Sequence, residues 1–213
     1  MKNIQEFKIE FIGIILASLA AILIGFFVIF LVSEEPMTAI TFFLLEPFGS
    51  LFNFGTVLNK MVPLVLTGLA VAVVFRAGIF SMGAEGQLYV GAFTGALAAV
   101  YINGLPGFIH IPIILISAML GGALFGFIPG LLKGYLNVDE IVSTLMLNYV
   151  GIYLVSYFLN HIFKDPNSGG FARMTYIEDS GKLQRFMEGL PTHSGIFIAL
   201  LAVAVVYLFL FKT

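Results

Sequence analysis

Apolar residues dominate this chain in long runs, and the few polar positions fall between those runs more often than within them. Residues 11–32 form 22 positions without a charge, enough for a straight crossing of a bilayer, which needs about 20. Further apolar runs cover 62–75, 88–102, 109–132, 141–159 and 195–211. Those at 62–75 and 88–102 are 14 and 15 residues, each short of a crossing, and RAGIFSMGAEGQ at 76–87 separates them. This interruption predicts a broken helix pair, the arrangement in which transporters place their sites. The expected fold is all-α: a polytopic membrane helix bundle of about six apolar passes, the pair at 62–102 included.

Between these runs the expected connections differ in kind. Residues 36–60 are apolar but punctuated by Glu46, Pro47, Gly49, Asn53 and Gly55, which predicts an interfacial helix and turn, with Pro36 in the first helical turn. An additional crossing there is the alternative. NGLPG at 103–107 is a turn, and KGYLNVDE at 133–140 a short polar connection. Asn137 with Glu140 three positions later fits a capping box, and Pro129 a kink. Residues 161–194 form the one long polar region, expected to be an external loop with a short amphipathic piece near 181–188.

Charge sets orientation and narrows function. Lys2 and Lys8 precede the first apolar run and Glu34 and Glu35 follow it, which predicts a cytoplasmic amino terminus. Counted over the whole chain, Lys2 and Lys8 included, the ten basic residues divide evenly between the two sides. Composition is 60% hydrophobic and 10% charged with mean hydropathy +1.05, against about 25% charged residues in soluble domains. Net charge is −2 and no basic block occurs, which excludes a nucleic-acid partner and leaves membrane lipid as the surroundings. Without cysteine there is no disulfide framework, thiolate nucleophile or thiolate-held metal. His110, His161 and His193 lie apart, outside any metal-binding spacing, and are expected at the membrane interface. Ser81 and Glu85 lack a nearby basic partner in sequence, so catalysis is not expected, and Ser81 reads as a cap for a helix starting near Gly83.

The polar groups inside the apolar frame are the candidate site. Glu85 and Gln87 follow the break, where a carboxylate at membrane depth is a functional candidate; pairing with Arg76 or with backbone N–H groups is the plainer role for Glu85. Glu140, Thr144 and Asn148 recur every fourth residue, which puts them within roughly 80° of arc on one helix face. Asn148 then either bonds a neighbouring helix or lines a path. Gly91, Gly95 and Ala99, and Gly122, Gly126 and Gly130, have the spacing that lets helices approach closely in lipid.

FRAGIFSMGAEGQLYVGA at 75–92, LKGYLNVDEIVSTLMLNYV at 132–150 and the preceding PFGSLFNFGTVLNKMVPLVLTGLAVA resemble motifs of permease subunits of binding-protein-dependent ABC importers. Within the sugar, nucleoside and branched-chain amino acid class, the likeness is greatest to nucleoside permeases, and it covers about residues 10–212. Ser81 and Asp139 stand where such proteins usually show Asn, and both keep a capping oxygen. The resemblance implies a path-forming subunit that hydrolyses nothing and holds no cofactor, ATP and Mg being bound by a cytoplasmic ATPase partner. It further implies a second permease subunit, an external substrate-binding lipoprotein, and a longer chain continuing past Thr213 into a coupling helix. Glu85, Gln87, Asn148 and Thr144 are then expected to line the path, and Arg76, Gly83, Gly86, Asp139 and Glu140 to serve gating or packing. A sugar or branched-chain amino acid permease, or a structural membrane fragment, is the alternative.

Overall fold

The computed structural model describes residues 4–185 and 190–212, and its regular structure is helical apart from one isolated bridge between Arg185 and His193. Seven α-helices follow in order: α1 (Ile4–Val32), α2 (Pro36–Gly49), α3 (Leu51–Arg76), α4 (Ala84–Tyr101), α5 (Gly107–Leu136), α6 (Glu140–Tyr157) and α7 (Gly195–Lys212). Among the described residues, four stretches are long and apolar enough to cross a membrane: Phe11–Val32, Leu51–Arg76, Gly107–Leu136 and Glu140–Ile162. Gly195–Phe211 is a shorter apolar helix. The chain is thus a polytopic helical membrane protein. It divides into two compact units, one running to Leu58 and one from Asn59 onward, with residues 190 and 191 grouped with the first.

In the first unit α1 and α2 pack through Phe26 and Phe43, whose rings meet edge to face at 6.0 Å. Pro36 opens α2 at its first turn, as its missing N–H favours. The expectation for 36–60 and 62–75 is corrected here. The stretch expected as interface and turn is two helices, and 62–75 is the end of the 26-residue α3. Its polar residues are compatible with a helix because they bond within it or next to it: Thr56 and Thr67 hydroxyls donate to the carbonyls of Phe52 and Pro63, and Asn53 donates to the Glu46 side chain at 2.9 Å. Only the second partner of the pair is therefore short. α4 has 18 residues, about 27 Å at 1.5 Å per residue, just below a hydrocarbon core of about 30 Å.

In the second unit α4 is packed against α5 and α6. Small residues make this approach possible. A Cβ built on Gly91 would lie 2.9 Å from the Ala118 carbonyl oxygen, and one on Gly95 would lie 3.0 Å from the Ala118 Cβ. Across the same seam Thr94 and Ser117 exchange hydrogen bonds, each hydroxyl donating to the other's backbone carbonyl at 3.0 Å. The expected glycine rows do pack at Gly91, Gly95, Gly122 and Gly126, whereas Gly130 faces open space. α5 also runs further than expected, through Lys133 to Leu136, so the polar connection shrinks to residues 137–139. Asn137 closes α5 in the left-handed conformation (φ 50°) and does not cap α6. That cap is Asp139, whose carboxylate accepts from the Val142 N–H at 3.0 Å.

Beyond α6 the backbone widens into a π-helical turn, Phe158–Ile162. Phe158 stacks on Phe93 of α4 at 5.6 Å, and Phe163 meets Phe93 and Tyr101, so an aromatic cluster anchors the start of the long loop. The loop has its own polar core: buried Asp165 lies 3.6 Å from Arg173, which stacks over Tyr176. Of the expected amphipathic piece at 181–188, residues 182–185 are not helical and 186–188 lie outside the described residues; a single 3-10 turn, Asp179–Gly181, precedes them. This turn sits on the start of α5, where His110 is fully buried and shares a 2.9 Å hydrogen bond with Ser180. His110 is therefore not an interfacial side chain: the loop covers it. Lys182, bonded to Asp179 at 2.7 Å, holds the Asp179 carboxyl below the usual carboxylate range, so this exposed contact is lost as pH falls through that lowered value.

Gly91→Ala forces a methyl against a backbone carbonyl and is expected to destabilise the protein by about 1–3 kcal/mol. Gly68→Ala, where a Cβ meets nothing within 4 Å, is expected to be neutral or stabilising. Thermal melting of the detergent-purified protein checks both.

Candidate functional site

The segment between α3 and α4, residues 77–83, is non-helical backbone between two apolar helices, and wherever it is shielded from water its N–H and C=O groups need partners from the protein. The end of α3 provides the first set. Gly78 takes φ +76°, and the N–H groups of Gly78 and Ile79 donate back to the carbonyls of Phe75 and Val74 at 3.0 and 3.2 Å. These two bonds form a Schellman cap, whose left-handed residue favours glycine.

α6 provides the second set. Asn148 accepts from the Gly86 N–H at 2.8 Å through Oδ1 and donates to the Met82 carbonyl at 2.6 Å through Nδ2. One turn earlier, the Thr144 hydroxyl accepts from the Met82 N–H at 3.1 Å and donates to the Glu140 carbonyl at 2.6 Å. Both side chains are buried, 7% and 3% exposed, so these bonds are shielded from water. Ala84 is the first residue of α4, so Gly86 carries one of the N–H groups a helix start leaves unpaired; Asn148 caps α4 from a different helix. The approach requires glycine, since a Cβ on Gly86 would lie 2.8 Å from the Asn148 Cα. Ser81 contributes a 3.3 Å bond from the Gly83 N–H, and Gly83 itself occupies the N-cap position without a side-chain cap.

Beside this clamp lies a cavity of about 540 Å³. Ser81, Gln87, Thr144, Lys133, Glu140 and Phe127 line it, together with small and apolar residues of α3 and α5. Lys133 and Glu140 form an ion pair at 3.1 Å across the turn between α5 and α6. With side chains 48% and 22% exposed it is worth at most about 1 kcal/mol, and it sets local charge more than stability. Among the described residues the Gln87 amide has no hydrogen-bond partner.

The expected site residues are thus brought into one neighbourhood in distinct positions. Gln87, Thr144 and Glu140 reach the cavity; Asn148 lies behind it with its amide oxygen and nitrogen both engaged. Glu85 is exposed in the first turn of α4, about 200° around the helix from Gln87. It makes no hydrogen bond or ion pair among the described residues, and Arg76 instead lies over the Phe211 ring at 5.8 Å. The positive end of the α4 dipole favours a carboxylate at that position. Asp139 is the α6 cap described above. The contributions of the Met82 backbone, Lys133 and Phe127 were missed from sequence, because nothing in the spacing of single residues reports which backbone another helix will face. Among the described residues, no group of three or more His, Cys, Asp or Glu is placed to hold a metal ion.

A helical membrane protein with an interrupted segment clamped beside a cavity fits a permease. The chain belongs to the family described as branched-chain amino acid transport system / permease component, which matches residues 53–213. It is 34% identical over 171 residues to the guanosine ABC transporter permease protein NupP of Bacillus subtilis, covering 78% of this chain and 48% of that protein. It is 32% identical to the glucose ABC transporter permease protein TsgB13 of Haloferax volcanii, over 93% of this chain and 54% of that one. The nucleoside ABC transporter permease protein NupB of Lactococcus lactis is 28% identical over 93% of this chain and 58% of its own length. The chain spans about half the length of these curated relatives, and no solved structure matches it.

Asn148→Ala leaves the Gly86 N–H and Met82 carbonyl unpaired in the interior and is expected to cost about 2–6 kcal/mol, at about 1–3 for each group. Hydrogen exchange at the Gly86 amide is expected to quicken in Asn148→Ala, which removes its acceptor.

Proposed function

We propose that this chain is the path-forming part of a permease subunit of an ABC importer, carrying a nucleoside-type solute received from an external binding protein. The observation that carries the transport reading is the cavity beside the clamped segment, into which an unpartnered amide projects at the start of a short helix. Gln87 and Thr144 border the path from the cavity side, Glu85 borders it from the opposite side of α4, and Asn148 and Gly86 keep the segment in place. Glu140 and Lys133 line the cavity, and Arg76, Gly83 and Asp139, at the ends of the helices beside it, serve gating or packing on the side read as cytoplasmic.

Supporting the nucleoside class are the guanosine and nucleoside permeases among the relatives, and supporting a neutral or cationic solute is the Glu85 carboxylate, which disfavours an anion. This subunit performs no hydrolysis. A cytoplasmic ATPase binding ATP and Mg drives it, a second permease subunit completes the pathway, and a lipoprotein receptor delivers the solute. A sugar is the second reading, favoured by the glucose permease that matches over most of this chain.

Labelled guanosine, glucose and leucine offered to cells carrying the complete transporter distinguish the solute classes, guanosine uptake being the expected result. Glu85→Ala is expected to abolish that uptake with membrane insertion intact, and normal uptake in this variant removes Glu85 from the path.

A further inference from the structure

Gly126 belongs to a glycine row that packs α5 against α4, yet its surroundings differ from those of the other glycines in the seam. A Cβ on Gly91 would meet the backbone of Ala118, and one on Gly122 the backbone carbonyl of Gln87. The three atoms nearest a Cβ on Gly126 all belong to the end of the Gln87 side chain, with Cδ and Nε2 at 2.9 Å and Oε1 at 3.1 Å. On the other side, a Cβ on Gly83 would lie 3.3 Å from the same Nε2. The Gln87 amide is therefore held between two positions that lack side chains, while it lines the cavity and has no hydrogen-bond partner among the described residues.

From this we infer that Gly126 is a positioning residue for solute recognition: its missing side chain forms the seat that holds the Gln87 amide in the cavity. The inference rests on the pathway reading given above. An amide held in place presents N–H donors and a carbonyl acceptor side by side. Its partner in chemistry is a neutral solute with an adjacent donor and acceptor, a feature shared by a nucleobase edge and a sugar's neighbouring hydroxyls. Side-chain rotation can relieve a methyl at Gly126, whereas backbone cannot move from a methyl at Gly91. Gly126→Ala thus leaves the helix seam in place and turns the amide out of its seat.

Uptake of labelled guanosine, with labelled glucose as a second arm, is measured for the complete transporter carrying Gln87→Ala, Gly126→Ala, both together, and Gly68→Ala as control. Membrane content is followed in parallel. Gln87→Ala is expected to raise the KM for the transported solute about tenfold with a much smaller change in maximal rate. Gly126→Ala is expected to raise KM about threefold to tenfold, and to add less than about twofold in the Gln87→Ala background, since the two act through one group. The arm that responds identifies the transported solute as a nucleoside or a hexose. An equal Gly126→Ala effect with and without Gln87 overturns the seat, as does Gly126→Ala with unchanged KM while Gln87→Ala is impaired. Unchanged uptake in Gln87→Ala removes that residue from the path and the pathway reading with it. If Gly126→Ala lowers membrane content, recovery in the double variant supports the collision with Gln87, and lack of recovery contradicts it.

Discussion

Unpaired backbone is the constraint on which the second unit depends. Between α3 and α4 the chain leaves the helix at Ala77 and does not resume it until Ala84, and each amide shielded from water there needs a partner from the protein. The Schellman cap at Gly78 serves one end; Asn148 and Thr144 serve the other. Two side chains one turn apart on α6 therefore take the place of the helical bonds that the α4 start lacks. Because they are buried, the alternative to each bond is an unpaired group in the interior, and this fixes the segment's position more firmly than apolar packing alone.

Close contact between helices follows from the same need. Bonds of 2.6–2.8 Å from Asn148 to the 82–86 backbone require α4 and α6 to approach until Gly86 has no room for a Cβ. Gly91 and Gly95 then bring α5 to the opposite side of α4. Near the break, where α3 ends and α4 begins, space remains, and the cavity occupies it. Fold and candidate site are thus two consequences of one interruption.

Much of this was legible in the residues, and what was not has definite causes. The all-helical membrane class followed from apolar runs, and Arg76 to Gln87 stood out as the break because charges and glycines cluster there. The stripe of Glu140, Thr144 and Asn148 correctly marked one face of α6, but periodicity does not say what a face meets, and Asn148 meets backbone. The start of α3 was misplaced because Glu46, Pro47, Gly49, Asn53 and Gly55 interrupt the apolar run, while Thr56 bonds the Phe52 carbonyl within the helix and Asn53 bonds Glu46 of α2. Asn137 was read as a cap from its type; its left-handed conformation at the end of α5 gave that role to Asp139. His110 looked interfacial because the loop that covers it arrives 70 residues later, at Ser180.

The most direct test uses the absence of cysteine in this chain. Single cysteines at Ser81, Gln87 and Ala98, introduced as Ser81→Cys, Gln87→Cys and Ala98→Cys, are exposed to a charged, water-soluble thiol reagent in permeabilised membranes. If the clamped segment borders a wet cavity at membrane depth, positions 81 and 87 react, and the buried position 98 on the same helix as 87 does not. Absence of reaction at 81 and 87, or equal reaction at 98, contradicts the account.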